Sequence, residues 1–397
     1  MMKHEHIPRG LLMKKIGILC VALSVGSMGL YAQVQTIEPF VLPSARMAAL
    51  GGAHAASVNG LDAIFENPAG FVSEQTELGL AALVINPSGP IFDIAGLILG
   101  GSEDMLTMLP ALFDANGRLY VQADMLGPLA FGYVGKGLGF GLFNRSVVSV
   151  NAASLLSVTY SVSEEFLLTG GYAYRFFIGS RQKIELGLMP KGFVRASIGE
   201  TISLDGIMSL VADPASIMTG TPLTMTSGIG FDVGARWSID DTLAVALVAR
   251  DAYSPAMVTT YSSFDAFTAN PQEAMVGVSG YAVVPANLAF GVGYNAPFAL
   301  LDLLGAELMV LVDYVDILDL LATIPRNPIL NIGIGVELKL LDILALRAGI
   351  KDALPTAGFG IDLTALEFSL AMYGRELGME PGARPVYNLL VALDFRY

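Results

Sequence analysis

A two-residue hydrophobic rhythm runs from about Thr76 to the C-terminus and limits what this chain can fold into more than any other feature. In SGIGFDVGARWSI, Ile229, Phe231, Val233, Ala235 and Trp237 alternate with Gly228, Gly230, Asp232, Gly234 and Arg236. In ILNIGIGVELKLL, Ile332, Ile334, Val336, Leu338 and Leu340 alternate with Asn331, Gly333, Gly335, Glu337 and Lys339. The segments 243–250, 288–295, 308–314 and 358–363 repeat the pattern less sharply. Period two places the two sets on opposite faces of a strand. One face is aliphatic and aromatic, and the other is glycine with scattered charges.

A soluble sandwich also alternates. Here the strands are long, often ten residues or more, which matches a tilted bilayer crossing. The second face is too rich in Gly and Ala for one washed by water, and small residues suit a face pressed against something inside a barrel. Composition agrees. Hydrophobic residues make up 53% of the chain and charged residues 15%, against about 25% charged in a soluble average. Yet the one long uncharged apolar run is Ile16–Leu30, short of the roughly 20 residues of a helical span. Membrane-level hydrophobicity without spanning helices leaves the closed barrel. About fourteen strand segments can be marked, with twelve or sixteen also possible. At the C-terminus, PVYNLLVALDFRY sets Tyr387, Leu389, Val391, Leu393, Phe395 and Tyr397 against Asn388, Leu390, Ala392, Asp394 and Arg396. A final strand ending on an aromatic residue is the form read by outer-membrane insertion machinery, the first expected partner.

Residues 1–33 read as an export signal: Lys14 and Lys15 precede the apolar core, and Ala32 offers a small residue for cleavage. Translation could begin at Met1 or Met13. Cys20 is the single cysteine and falls within that signal, so disulfides and Cys-ligated metals are excluded from the mature chain. The formal net charge is −14, and losing the signal makes the chain more acidic still. Without a basic stripe there is no nucleic-acid partner.

Two connections carry a helical apolar pattern. In 102–117 the apolar face holds Met105, Leu106, Met108, Leu109, Leu112 and Phe113. In 205–220 it holds Ile207, Met208, Leu210, Val211, Ile217 and Met218. Each is either a small helix packed on the barrel rim or a greasy, Met-rich lip through which apolar ligands come in.

Enzyme chemistry finds no foothold. One histidine, His54, remains in the mature chain, so His-based triads and multi-His metal sites are excluded. GGAHAASVNG lacks the Lys-Ser/Thr of a phosphate loop, and GKGLGFG fails the dinucleotide spacing. Asp240 and Asp241 sit at an apparent turn. No cofactor and no metal is expected.

The segment ARMAALGGAHAASVNGLDAIFENPAGF resembles the N-terminal region of the FadL-like outer-membrane proteins. These include the long-chain fatty-acid transporters, PorV-like proteins and a spirochaete group. The resemblance rests on Ala45-Arg46, Ala49-Leu50-Gly51-Gly52-Ala53, Asp62 and Asn67-Pro68-Ala69-Gly70, with Leu50 where Met is commoner. The stretches 127–145 and 372–389 look like the spirochaete group. The resemblance implies that residues 34–73 form a plug inside a barrel of residues 74–397, with Arg46, Gly51, Gly52, Asp62, Asn67 and Pro68 as plug and gating positions. A periplasmic linker is the alternative for that segment. The implied fold is an all-β transmembrane antiparallel barrel of about fourteen strands, with short helices in its loops. The implied function is passive uptake of hydrophobic small molecules, such as long-chain fatty acids, across an outer membrane. A PorV-like partner in protein export and a structural barrel without transport are the alternatives. Small residues and tight turns at Gly-Gly and Asn-Pro are compatible with close packing in a lumen.

In KIELGLMPKGFVRASIG the alternation runs through Pro190. Proline has no amide hydrogen for the ladder, and Gly192 eases a kink. The resemblance suggests a lateral opening at Pro190 and Gly192. The plain alternative is a structural bulge.

Overall fold

The computed structural model describes residues 35–397, apart from 53, 59, 74–75, 92, 95–111, 115, 155–156, 204–205, 207–208, 211–212, 214, 241, 299–300, 302 and 304. Among the described residues no helix is long and apolar enough to cross a membrane. The wall is instead a closed antiparallel sheet. Its strands are β2 (Glu77–Ser88), β3 (Leu119–Gly135), β4 (Leu138–Ser154), β5 (Ser157–Ile178), β6 (Gln182–Ile202) and β7 (Leu223–Ile239). It continues through β8 (Leu243–Tyr253), β9 (Pro255–Tyr261), β10 (Gly280–Val283), β11 (Asn287–Asn295) and β12 (Ala306–Tyr314). It is completed by β13 (Ile332–Leu340), β14 (Leu344–Lys351), β15 (Leu354–Asp362), β16 (Leu366–Glu376) and β17 (Pro385–Arg396). β17 pairs with β2 and closes the ring. β8 and β9 are two pieces of one wall position, as are β10 and β11, so the sheet holds fourteen positions.

The alternation read from sequence sorts inside from outside. Ile229, Phe231, Val233 and Trp237 are exposed on the outer face, while Gly230, Asp232 and Gly234 between them are buried. On β5 the outer belt runs from Phe166 through Leu168, Tyr172 and Tyr174 to Phe176, a length that tilted strands need to cross the hydrocarbon. The belt ends where the outer face turns polar: Asn144 donates to Glu164 at 3.0 Å, and Ser146 also bonds Glu164. β5 and β6, at 22 and 21 residues, continue beyond this line, whereas β13 and β14 have 9 and 8. Tight connections such as Lys136–Gly137 mark one end, and the connections 89–118, 203–222, 262–279 and 315–331 mark the other. By the usual asymmetry of such barrels the first end is periplasmic and the second extracellular.

The lumen is filled by described residues between Ile37 and Ser73. β1 (Gln35–Thr36) pairs in parallel with β10 at Ala282 and Val283. A short helix, Ala45–Ala49, follows, capped by Ser44. Then come two 3-10 turns, Gly60–Ile64 and Pro68–Val72. Ala49, Leu50, Val58, Ala69 and Phe71 lose all contact with solvent. Burying a side chain such as Phe71 contributes roughly 1.5–3 kcal/mol.

Candidate functional site

The inner glycines of the wall are where the plug lies against it. A Cβ on Gly51 would fall 2.5 Å from the carbonyl oxygens of both Ile334 and Ile350, and its φ of +83° already favours glycine. Gly335 and Gly349 face it, packed on the Leu50–Gly51 backbone. Gly139 and Gly171 receive the Phe71 ring, and Gly187 and Gly234 receive Asn67 and Pro68. Asn67 holds its own turn: Oδ1 accepts from Ala69 N–H at 3.0 Å, and Nδ2 donates to Ala55 O at 2.7 Å.

The charges among those glycines hold the plug by its polar groups. Arg46 donates to Glu337 at 2.9 and 3.1 Å, and to Asp62 and Ser57 O, each at 3.3 Å. Arg347 donates to Glu337 from the opposite side at 2.8 Å. Arg236 donates to Val58 O and Arg175 to Val72 O, both at 3.0 Å. Arg250 meets Glu66 at 2.6 Å. Burial, with neighbouring Arg46, pushes the pKa of His54 well below its ordinary value, so it is neutral. Its ring nitrogen Nε2 lies 3.2 Å from Met47 O, a structural contact.

Of the plug positions marked in the sequence, Arg46 and Asp62 thus come together as an ion pair. Both line a cavity of about 680 Å3 on the periplasmic side of the plug, with Glu77, Glu367, Asp394 and Arg396. Its charged walls suit water and repel hydrocarbon. Gly51 and Gly52 lie elsewhere, against β13 and β14, and Asn67–Pro68 against β6 and β7.

An apolar space of about 620 Å3 lies on the outer face of the wall, within the lipid belt. Gly192, Gly228 and Pro255 form its floor, and Phe166, Leu168, Val194, Ile229, Met257 and Tyr281 rise around it. A Cβ on Gly192 would meet nothing nearer than Gly228 O at 4.0 Å, so this glycine opens the groove. The inward ring of Phe193 is reached from the groove as well, so the wall is thin here. The cause is a break in the ladder. β7 pairs with β9 up to Gly228–Ala256 and with β8 from Phe231–Tyr253, leaving Ile229–Gly230 and Ser254–Pro255 without partners across this one seam. Pro255 has no amide hydrogen to donate.

Gly192 therefore lines this groove. Pro190, one outward position further along β6, does not. The ladder to β5 skips Pro190, since pairing passes from Thr169–Lys191 to Tyr172–Leu188. Thr169 Oγ1 donates to Pro190 O at 3.0 Å, and the β7 side stays paired throughout. Of the loop positions, Leu112 and Phe113 pack on Leu119, Ala152 and Val158. Leu210 is half-buried and Met218 exposed. Met105, Met108, Leu109, Met208 and Val211 lie outside the described residues. Sequence reasoning missed Gly228 and Ser254–Pro255. The proline inside RDAYSPAMVTTY was the available signal, because a proline in an alternating run marks a break in pairing.

No family model matches the sequence, and no curated protein does. The chain is similar in structure to outer-membrane channels of the FadL kind. CymD, a monoaromatic hydrocarbon channel, is 12% identical over 91% of this chain and 98% of its own, with a TM-score of 0.45. The Pseudomonas putida toluene transporter TodX is 12% identical over 92% and 99%, TM-score 0.42. A Pseudomonas aeruginosa FadL homologue is 12% identical over 90% and 99%, TM-score 0.44. Likenesses this loose go with the barrel architecture and say nothing of a ligand.

Proposed function

We propose that the protein is a passive outer-membrane conduit for hydrophobic small molecules, and that its ligands pass between lumen and membrane at the groove of Gly192, Gly228 and Pro255. The observation that carries this reading is an apolar hollow placed on an interrupted ladder. Apolar ligands bind in concave apolar sites with few polar groups, and a wall without its hydrogen bonds opens at the least cost. Pro190 interrupts the ladder of the neighbouring strand β6 on its β5 side. The polar periplasmic cavity is a poor path for hydrocarbon, which leaves the side of the barrel. Ligands come in from outside past the exposed loop segment that carries Leu210 and Met218. Long-chain fatty acids are the ligand class that the N-terminal resemblance suggests.

The test is uptake of radiolabelled dodecane by cells carrying the barrel in an outer membrane otherwise closed to alkanes. Gly192→Leu fills open space and leaves the barrel folded, so uptake should drop to the level of cells without it. Uptake unchanged in folded Gly192→Leu would remove the groove from the path. A second reading, a partner in protein export, has one observation in its favour: Leu321 and Ile324, in the extracellular connection 315–331, are 71% and 76% exposed. Wild-type cells that take up no dodecane, together with a protein retained on the barrel through those two residues, would favour it.

A further inference from the structure

On the lumen side of the interrupted ladder sits a group of polar side chains that the plug does not use. Lys191 of β6 lies 2.8 Å from Asp232 of β7 and 2.9 Å from Asp251 at the end of β8. It also reaches the second Asp232 oxygen at 3.1 Å. The ammonium is thus shared between two carboxylates, Asp232 and Asp251. Asp232 Oδ1 accepts the Asp251 backbone N–H at 2.7 Å. Asp251 is held in the left-handed region at φ 49°, which turns its carboxylate into the wall instead of along the strand. One cation against two carboxylates leaves the group with a net negative charge. The neighbouring Arg250 does not offset it, being engaged by Glu66.

The fourth member is Ser254. It is 4% exposed, and its Oγ has no hydrogen-bond partner among the described residues. A buried hydroxyl left without a partner costs about 1–3 kcal/mol. Its backbone is turned away from β7, since Val284 N–H donates to Ser254 O at 2.9 Å. The hydroxyl faces Gly230: a Cβ there would fall 2.6 Å from Ser254 Oγ, 3.1 Å from Lys191 Cε and 3.2 Å from Asp251 Oδ1. These groups converge on the stretch Ile229–Gly230, without partners across that seam, whose other side is the apolar groove.

We infer that the groove takes an amphiphile with a neutral or cationic head, such as a long-chain alcohol or amine, and that the head reaches Ser254 and Asp251 through the gap in the ladder. This rests on the proposed hydrophobic conduit and departs from the fatty-acid ligands that the N-terminal resemblance suggests. A hydroxyl satisfies Ser254 as donor or acceptor, and an ammonium is drawn by the net charge. A carboxylate meets the like charge of Asp232 and Asp251, which outnumber Lys191, so the site disfavours ionised fatty acids.

Native mass spectrometry of the intact detergent-solubilised barrel, with dodecane, dodecan-1-ol, dodecylamine and dodecanoate in competition, tests this. The alcohol and the amine should each bind more tightly than dodecanoate by about ten-fold or more. Ser254→Ala should lower the ratio of dodecan-1-ol to dodecane binding by about five-fold, the worth of one buried hydrogen bond. Asp251→Asn, which tolerates the left-handed backbone, should bring dodecanoate closer to the alcohol. Dodecanoate binding as tightly as dodecan-1-ol in the wild-type, or a ratio unmoved in Ser254→Ala, overturns the inference. If dodecane still binds and is lost in Gly192→Leu, the groove survives that failure. If none of the four probes binds, both readings fall.

Discussion

Two parts of the wall use glycine in opposite ways. At β13 and β14 the ladder is unbroken, and Gly335 and Gly349 are flat because the Leu50–Gly51 backbone rests on them. At β6 and β7 the ladder to the next strand is interrupted, and Gly192 faces space. Residue type is the same, and so is the two-residue period. What differs is the occupant opposite: plug backbone in one place, membrane in the other. Glycine in a barrel wall therefore reports a close approach only after its face is known.

The comparison can be broken most forcefully at the closed side. Gly335→Val sets a branched side chain against plug backbone that cannot give way, at a cost of about 3 kcal/mol or more. The plug should then come loose, and a cysteine placed at the buried Ala56 should label as fast as one in a surface loop. Slow labelling at that position in folded Gly335→Val would mean that the contact is soft. Next comes Arg46→Met. It keeps the packing stem and removes the charge opposite Glu337, and breaking a buried pair costs about 3 kcal/mol. A urea midpoint equal to wild-type would show that Arg347 alone satisfies Glu337.

The open side should respond weakly and with the other sign. Pro190→Val restores an amide donor toward β5, where the Pro190 carbonyl already accepts from Thr169. It should raise stability by about 0.5 kcal/mol and slow dodecane uptake while leaving dodecane bound. Uptake at the wild-type rate would confine Pro190 to a structural gap in the ladder. The smallest effect is expected for Gly192→Ala, within about 0.5 kcal/mol of wild-type, because its methyl meets open space. A loss as large as that at Gly335 would erase the distinction between the two sites.

Much of this was legible in the sequence because a barrel wall has one strict rule. Ile229 to Trp237 and Ile332 to Leu340 sort to the lipid side, their neighbours to the lumen, and the count of about fourteen strands matches. The small inner face was readable as a packed face, since water does not select for glycine. The groove was harder. Its floor joins Gly192, Gly228 and Pro255 from three strands, and their adjacency depends on register across the sheet, which single strands do not encode. The split at Ser254 left only the proline as a signal, because the alternation in Leu243–Tyr253 and Pro255–Tyr261 is too loose to show a break in pairing. The buried charge group was out of reach for the same reason: Lys191, Asp232 and Asp251 are far apart in the chain and meet only when β6, β7 and β8 lie side by side.

The last strand joins β2 through Tyr397, whose backbone N–H donates to Leu78 O at 2.8 Å, while Leu78 N–H donates to Tyr397 O at 2.7 Å. Leu78 lies just after the segment that fills the lumen. The final seam thus closes beside the point where the chain passes from interior to wall, and the ring must shut around a filling already tethered to it. Closure is thereby coupled to filling, the final seam sitting like a clasp at the mouth of its own contents. A chain whose filling fails to dock would present that clasp with nothing to fasten over, and the defect would show as a barrel slow to close on refolding.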